Sequence, residues 1–411
     1  MNLQSINLKK IGLVVLFLAV IVLVGFLLYS LFFKSTPAPS NPDSNGVTPG
    51  SGNGLPEANN GTPSVVSPNE NGLPGDTGTN NNGSSSSPNP EEALPSSEQV
   101  SNRAAFSSVN KNGQPQFYNP SDNRFYAIDS QGKLTTLSDQ QFFGVQNVIW
   151  SPDATKAILE YPDGSKVRYN FATKNQVTLP KHCEDFNFSP DGNKIVAKSM
   201  GLDADNRWLI VANEDGSKAT NIESMGANAD KVITSWSPNN QSIAFFSDGV
   251  DFNRKEVFFV GQHGENFKSL ITEGRGFQPL WSPQGDELVY SVYSSDNDYK
   301  PTLWIVGAQG DTIGANRRPL ELNTWADKCT YSQNQLYCAV PTALERGAGL
   351  YPATARNTPD LLYKIDPNTG QKQLIPASVS TSMNNLTVSP DGMYLYFTEG
   401  NNAVLRKIKI K

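Results

Sequence analysis

The segment FNFSPDGNKIVAKS, residues 186–199, places a tight turn between two short runs of strand-forming residues. Pro190 presets φ for the turn, Asp191 can accept a hydrogen bond from the backbone two residues on, and Gly192 tolerates a left-handed conformation. The segment therefore predicts a strand, a turn and a second strand.

This segment recurs along the chain at spacings of 38 to 57 residues. Five other clear copies share its apolar residue before a serine: VIWSPDATKAILEY (148–161), TSWSPNNQSIAFFS (234–247), PLWSPQGDELVYSV (279–292), CTYSQNQLYCAV (329–340) and LTVSPDGMYLYFTE (386–399). A fainter copy occupies residues 105–119, and further strand–turn–strand patterns, such as KVRYNFATKNQVTLP, lie between the copies. Two hairpins in each period of about 40 to 50 residues are typical of one blade of a β-propeller.

The fold class predicted from these repeats is all-β, a β-propeller of seven blades that begins near residue 103. Six blades is the alternative, if residues 105–119 only lead into the first blade. The last repeat supplies three strands, so a segment near residues 98–105 is predicted to add the fourth and close the ring. Closure matters because an open propeller would expose unpaired sheet edges.

This recurring pattern resembles the W-S-P-D-G-type repeats of the TolB-like β-propeller family, also found in propeller domains attached to prolyl-oligopeptidase-like hydrolases. The resemblance covers about 300 residues, counted from residue 103 of the sequence. It implies a propeller that acts as an interaction platform. The chain contains no G-x-S-x-G motif, so hydrolase activity is not carried over.

The region before the repeats predicts a membrane anchor and a linker. Residues 11–33 form an uncharged apolar run of 23 residues, long enough for a transmembrane helix and too long for the core of a signal peptide. Lys9 and Lys10 place the tail, residues 1–10, in the cytoplasm. Residues 34–102 are rich in Pro, Gly, Ser and Asn and predict a disordered linker. The propeller, residues 103–411, is then expected outside the cytoplasmic membrane.

Net charge argues against one class of partner. The formal total of −6 divides into +3 for residues 1–34, −7 for residues 35–102 and −2 for residues 103–411. A folded region near −2 offers no basic field for a phosphate backbone, so no nucleic-acid partner is expected.

Residues that suggest chemistry are better explained by structure. Trp150, Trp236 and Trp281 occupy the position before the serine of their repeats. The other copies have Phe, Tyr or Val at this position, as expected of apolar core side chains packed between blades. His182 and His263 are the only histidines and lack further ligands at metal-binding spacing. No metal site and no cofactor are expected, with calcium left open because loops can supply single oxygens.

The cysteines predict a disulfide. If the YSQNQLY turn is centred between Gln333 and Asn334, Cys329 and Cys338 face each other across the hairpin. Directly opposed residues lie about 4.5 to 5.5 Å apart at Cα, within reach of a disulfide. Two reduced cysteines packed side by side are the alternative, and Cys183 is expected to be free.

The predicted binding surface lies on the connections between the second and third strands. These are long in four middle blades: residues 199–206, 247–256, 291–301 and 341–360. Long loops on a rigid scaffold commonly carry binding residues. The candidate residues are Tyr, Arg and Phe side chains of these loops: Phe252, Arg254, Tyr299, Arg346, Tyr351 and Arg356.

These observations lead to the expectation of a non-catalytic scaffold that binds an envelope protein or peptide through the long loops. A channel-site hydrolase or lyase and a cell-wall glycan-binding module remain as alternatives. The glycan-binding alternative requires Trp208, Trp304, Trp325 or Tyr299 to be exposed.

Overall fold

The computed structural model describes residues 22–23, 97–129, 131–400 and 403–411. The predicted cytoplasmic tail, linker residues 34–96 and all but two residues of the predicted helix 11–33 lie outside the described residues. Residues 22 and 23 are helical. Within the described ranges, no helix is long and apolar enough to cross a membrane.

The described chain forms seven antiparallel sheets of four strands each. Blades 1 and 2 contain β2 (Ala105–Val109), β3 (Pro115–Asn119), β4 (Arg124–Ile128), β5 (Leu134–Thr136), β6 (Asn147–Trp150), β7 (Lys156–Glu160), β8 (Lys166–Asn170) and β9 (Asn175–Leu179). Blades 3 and 4 contain β10 (Cys183–Phe188), β11 (Lys194–Met200), β12 (Arg207–Asn213), β13 (Thr220–Ser224), β14 (Val232–Thr234), β15 (Ala244–Gly249), β16 (Lys255–Val260) and β17 (Leu270–Thr272).

Blades 5 and 6 contain β18 (Arg275–Trp281), β19 (Glu287–Tyr293), β20 (Pro301–Gly307), β21 (Arg318–Pro319), β22 (Cys329–Ser332), β23 (Gln335–Pro341), β24 (Asp360–Ile365) and β25 (Lys372–Ile375). Blade 7 contains β26 (Met383–Val388), β27 (Tyr394–Glu399), β28 (Val404–Lys409) and the N-terminal β1 (Glu98–Ser101). Short 3-10 helices lie in the connections: Ala204–Asn206, Gly226–Lys231, Ser295–Asn297, Gly310–Thr312, Ala326–Lys328 and Pro352–Ala355.

The all-β, seven-bladed prediction is confirmed. The faint copy at 105–119 forms the first two strands of blade 1. The ring closes as predicted, because β1 pairs with β28 and is the outer strand of blade 7. Glu98 faces Lys407 across this junction, and their side chains form an ion pair of 3.0 Å. Closure leaves no blade of the described propeller short of a fourth strand.

The strand order defines two faces. The first strands of neighbouring blades contact each other, as β10 contacts β6 and β14, so they surround the central axis. Because successive strands are antiparallel, the first-to-second and third-to-fourth turns share one face, here called the turn face. The second-to-third loops and the connections between blades share the opposite face, here called the mouth face.

The S-P-D-G turns are held by local hydrogen bonds. The Ser189 hydroxyl donates to Asp191 at 2.6 Å, and the Asn193 backbone N–H donates to the same carboxylate at 3.1 Å. Ser389 and Asp391 repeat this bond, and Asn239 takes the Asp position beside Ser237. These contacts explain why the turn selects Asp or Asn at this position.

Hydrophobic clusters fill the spaces between blades. Trp236 is buried, and the partly buried Trp150 and Trp281 pack against the clusters of adjoining blades. Cys329 and Cys338 are paired in register at a Cα–Cα distance of 4.1 Å, and their sulfurs are bonded to each other. Cys183 is a buried free thiol whose pKa is raised by burial.

Candidate functional site

Three long loops lie side by side on the mouth face, in blades 4, 5 and 6. They consist of residues 250–254, 294–300 and 342–359 and are here called the loop crescent. The Asn253 side chain donates to the Ser295 hydroxyl at 2.8 Å. The Gly347 and Gly349 N–H groups donate to the carbonyls of Asp298 and Tyr299, each at 2.8 Å. These bonds join the three loops into one continuous surface.

The longest loop has a small apolar core of its own. Ala348 and Ala355 are buried against Trp325, with Leu344 packed beside them. Trp325 belongs to the connection into blade 6, so the loop is fixed to its own blade as well as to blade 5. The eighteen-residue loop is therefore a packed part of the mouth face.

The structure places all six predicted site residues on the loop crescent, in different environments. Phe252, Arg346, Tyr351 and Arg356 are exposed, whereas Tyr299 is partly buried. Of the six, only Arg254 has a carboxylate partner among the described residues, since its Nε lies 2.6 Å from Asp251 Oδ2. The hydrogen bond from Arg254 lowers the pKa of Asp251. Arg254 therefore stabilises the conformation of its own loop.

Arg275, at the mouth end of inner strand β18, is a residue that the sequence patterns did not single out. Its guanidinium carbon lies 4.8 Å from the centroid of the Phe252 ring. Gly274 and Gly276 flank it, and a Cβ on Gly276 would approach the Tyr293 ring to 2.3 Å. The glycines let β18 pack closely on Tyr293. The sequence EGRGF, residues 273–277, contains this signal in its two glycines beside one arginine.

A buried ion pair lies next to the crescent, between blades 6 and 7. Lys328 Nζ is 2.7 Å from Asp360 Oδ2, which also accepts from the Met383 N–H at 2.6 Å. Desolvation raises the pKa of Asp360 against the opposing effect of Lys328. Asp327, one residue earlier, is solvent-exposed, and desolvation by the surrounding protein raises the pKa of its carboxyl as well.

The exposed aromatic residues of the mouth face are not those that the glycan-binding alternative required. Trp325 is buried, and Trp208, Trp304 and Tyr299 are partly buried, so none of the four anticipated side chains is exposed. The large hydrophobic side chains more than 60% exposed in the described propeller are instead Phe143 (66%), Leu202 (100%), Phe252 (66%) and Tyr351 (69%). All four lie on second-to-third loops or between blades, and therefore on the mouth face.

The described residues do not suit a transition-metal ion. They contain no group of three or more His, Cys, Asp or Glu side chains placed to hold one. His182 lies in the connection into blade 3, on the mouth face, whereas His263 lies in the third-to-fourth connection of blade 4, on the turn face. The two imidazoles therefore cannot share a site.

Comparison with known proteins supports the fold and goes no further. The structure is similar to an oligogalacturonate lyase solved in complex with manganese, with a TM-score of 0.53 and 14% identity over 77% of this chain and 93% of that chain. It is also similar to the β-propeller domain of Myceliophteria thermophila Cps50 (Swd1), with a TM-score of 0.51 and 10% identity over 77% of this chain and 100% of that domain. No protein-family model matches the sequence, and neither does any curated protein.

The expectation of a non-catalytic interaction scaffold is corrected by this comparison. A propeller that shares the fold over 93% of its own length is a lyase, so the architecture by itself is no support for a non-catalytic role. The inference to a scaffold failed because it relied on the architecture, and one propeller architecture hosts both binding and catalysis. The manganese of that lyase has no counterpart among the described side chains, so no step is assigned to a metal.

Proposed function

We propose that this chain is a carbohydrate-active propeller, a lyase or hydrolase that binds and cleaves a polysaccharide on its mouth face. The observation that carries the proposal is the grouping of the exposed aromatic side chains Phe143, Phe252 and Tyr351 on that one face. Aromatic rings offer flat apolar surfaces on which sugar rings can stack. The similarity to an oligogalacturonate lyase supports a saccharide substrate.

Asp327 is the proposed proton donor. Cleavage of a glycosidic bond is assisted by an acid that protonates the leaving oxygen, and such an acid needs a raised pKa. The pKa of Asp327 is raised by desolvation, and the side chain remains open to solvent at the mouth end of an inner strand. The neighbouring Lys328 forms an ion pair with Asp360 and is assigned no chemical step.

The test is product analysis with residues 97–411 and a panel of neutral and acidic polysaccharides. A lyase releases an unsaturated sugar that absorbs ultraviolet light, whereas a hydrolase releases reducing ends without that absorbance. We expect Asp327→Asn to reduce turnover about 100-fold, as for loss of a general acid. We expect Phe252→Ala and Tyr351→Ala to raise KM.

Phe258→Ala is the matched control, because Phe258 is an exposed aromatic residue on strand β16, outside the mouth loops. Saccharide binding without cleavage would assign the face to a glycan-binding module. Absence of both binding and cleavage across the panel would contradict the proposal.

We also propose that the propeller is of the TolB-like type, on the basis of its S-P-D-G turns, and that residues 11–33 anchor it in the cell membrane. The charge asymmetry around that segment supports a cytoplasmic N-terminus and a propeller outside the membrane. Protease protection in intact cells tests this orientation. A propeller degraded only after the cells are opened would reverse it.

A further inference from the structure

We propose that Arg275 and Phe252 form a subsite for the carboxylate of an acidic sugar, so that the substrate contains uronate residues. This inference rests on the proposed function, because it names the class of saccharide that the mouth face binds. Three features of the site support it: an unneutralised arginine, a backbone that fixes its position, and an open aromatic surface beside it.

The first feature is the absence of an anionic partner for Arg275. Its guanidinium forms no ion pair or hydrogen bond with any described residue, although the side chain is only partly exposed. Glu273, the carboxylate nearest in sequence, pairs with Arg317 at 2.7 Å, and Asp251, in the loop of Phe252, pairs with Arg254 at 2.6 Å. A partly desolvated cation without a counter-charge favours binding of an anion.

The second feature is the fixed position of Arg275. A Cβ on Gly274 would lie 2.7 Å from the Tyr293 carbonyl oxygen, and Gly276 lies against the ring of the same tyrosine. Gly349 of the blade 6 loop approaches Tyr293 from another side, since its Cβ would lie 2.6 Å from the Tyr293 Cβ. Tyr293 therefore locks the strand that carries Arg275 to the loop crescent. A site on a rigid strand preserves the geometry that bidentate recognition needs.

The third feature is the surface that Phe252 offers. One part of its ring packs under Arg275, and the residue is still 66% exposed, so the rest of the ring is open. A pyranose ring stacked on this surface would bring a substituent carboxylate to the free N–H groups of Arg275. Planar guanidinium groups bind carboxylates through two parallel hydrogen bonds. The buried Asn253 Oδ1 has no partner among the described residues and can accept a sugar hydroxyl after a small loop movement.

Calorimetry of residues 97–411 with polygalacturonate, alginate and glucuronoxylan, each in free-acid and methyl-esterified form, tests the subsite. We expect at least one free-acid polymer to bind about 10- to 100-fold more tightly than its ester, the range for a hydrogen bond to a charged group. Arg275→Gln should remove this difference, and Arg275→Lys should restore part of it. Phe252→Ala should weaken both forms alike.

Arg124→Gln is the matched control, because Arg124 lies on blade 1 and donates to the Asp139 carbonyl at 2.9 Å. Equal binding of acid and ester forms, or a preference for the acid form that persists in Arg275→Gln, overturns the subsite and leaves the proposed function standing. Failure of every acidic polymer to bind, together with binding of a neutral one, also overturns it. Failure of all saccharides contradicts the proposed function itself.

Discussion

Lys328 Nζ lies 2.7 Å from the Oδ2 atom of Asp360, inside the junction between blades 6 and 7. Asp360 is the first residue of β24, directly after the eighteen-residue loop of blade 6, and it also accepts from the backbone of Met383, the first residue of β26. The pair therefore joins the loop crescent to the inner strand of the last blade. The other carboxylate oxygen of Asp360, Oδ1, is buried without a hydrogen-bond partner among the described residues.

Removing one member of this pair should be costly. Asp360→Ala leaves a buried ammonium without a counter-charge, and we expect a loss of about 3–5 kcal/mol in the free energy of unfolding. Replacing both members, as in Lys328→Met with Asp360→Leu, should restore most of the loss. Urea unfolding measures all three proteins. An equal loss in Asp139→Asn, which breaks the exposed pair of Asp139 with Lys174, would show that burial is irrelevant.

Acid should weaken the turns of the repeats. The Ser189 hydroxyl lowers the pKa of Asp191, and the Ser389 hydroxyl lowers that of Asp391. Because the folded pKa is below the unfolded value of about 3.9, this stability is present above about pH 4 and is lost as pH falls through the folded pKa.

The double variant Asp191→Asn/Asp391→Asn should therefore lose less stability than the unmodified protein between neutral pH and about pH 3. Urea midpoints across this range provide the measurement. Asp203→Asn is the control, since Asp203 is exposed and its side chain makes no capping hydrogen bond. Parallel pH profiles for the double variant and the unmodified protein would contradict the assignment.

The Cys329–Cys338 bond remains a prediction for the purified protein. Alkylation under denaturing, non-reducing conditions should modify one thiol, that of Cys183, and all three cysteines only after reduction. Intact mass distinguishes these states. The sequence separation of 9 gives a small closed loop, so the double alanine variant should lose about 2–3 kcal/mol of unfolding free energy. Three modified thiols without reductant would contradict the disulfide.

Close packing on Tyr293 should make Gly276 sensitive to substitution. Its φ is +69°, and an added Cβ would also meet the Tyr293 ring. Gly164 has a similar φ of +78° with nothing within 4 Å of an added Cβ. Gly164→Ala should therefore show only the backbone cost of about 1–2 kcal/mol, and Gly276→Ala a larger loss. Equal losses on thermal or urea unfolding would show that the ring can move aside.

Sequence patterns predicted the long loops of the mouth face better than the contacts that their residues make. Loop length depends on the number of residues between strands, so Phe252 and Tyr351 could be assigned to long loops by counting residues between the repeats. Arg275 lies within a strand, where no loop signal marks it, and its contact with Phe252 joins two blades. The pairing of Arg254 with Asp251 likewise depends on the conformation of the loop.

The sequence by itself determined the propeller architecture and favoured seven blades closed by an N-terminal strand over the alternative of six, because turns and strand alternation are local and each clear repeat carries its own copy. Only the tertiary structure decided which charges are neutralised. Asp251, Glu273 and Asp360 each take a basic partner, whereas Arg275 is left without one among the described residues. Such pairing depends on distances between side chains from different loops and strands, and electrostatic attraction falls with distance in space whatever the separation along the chain.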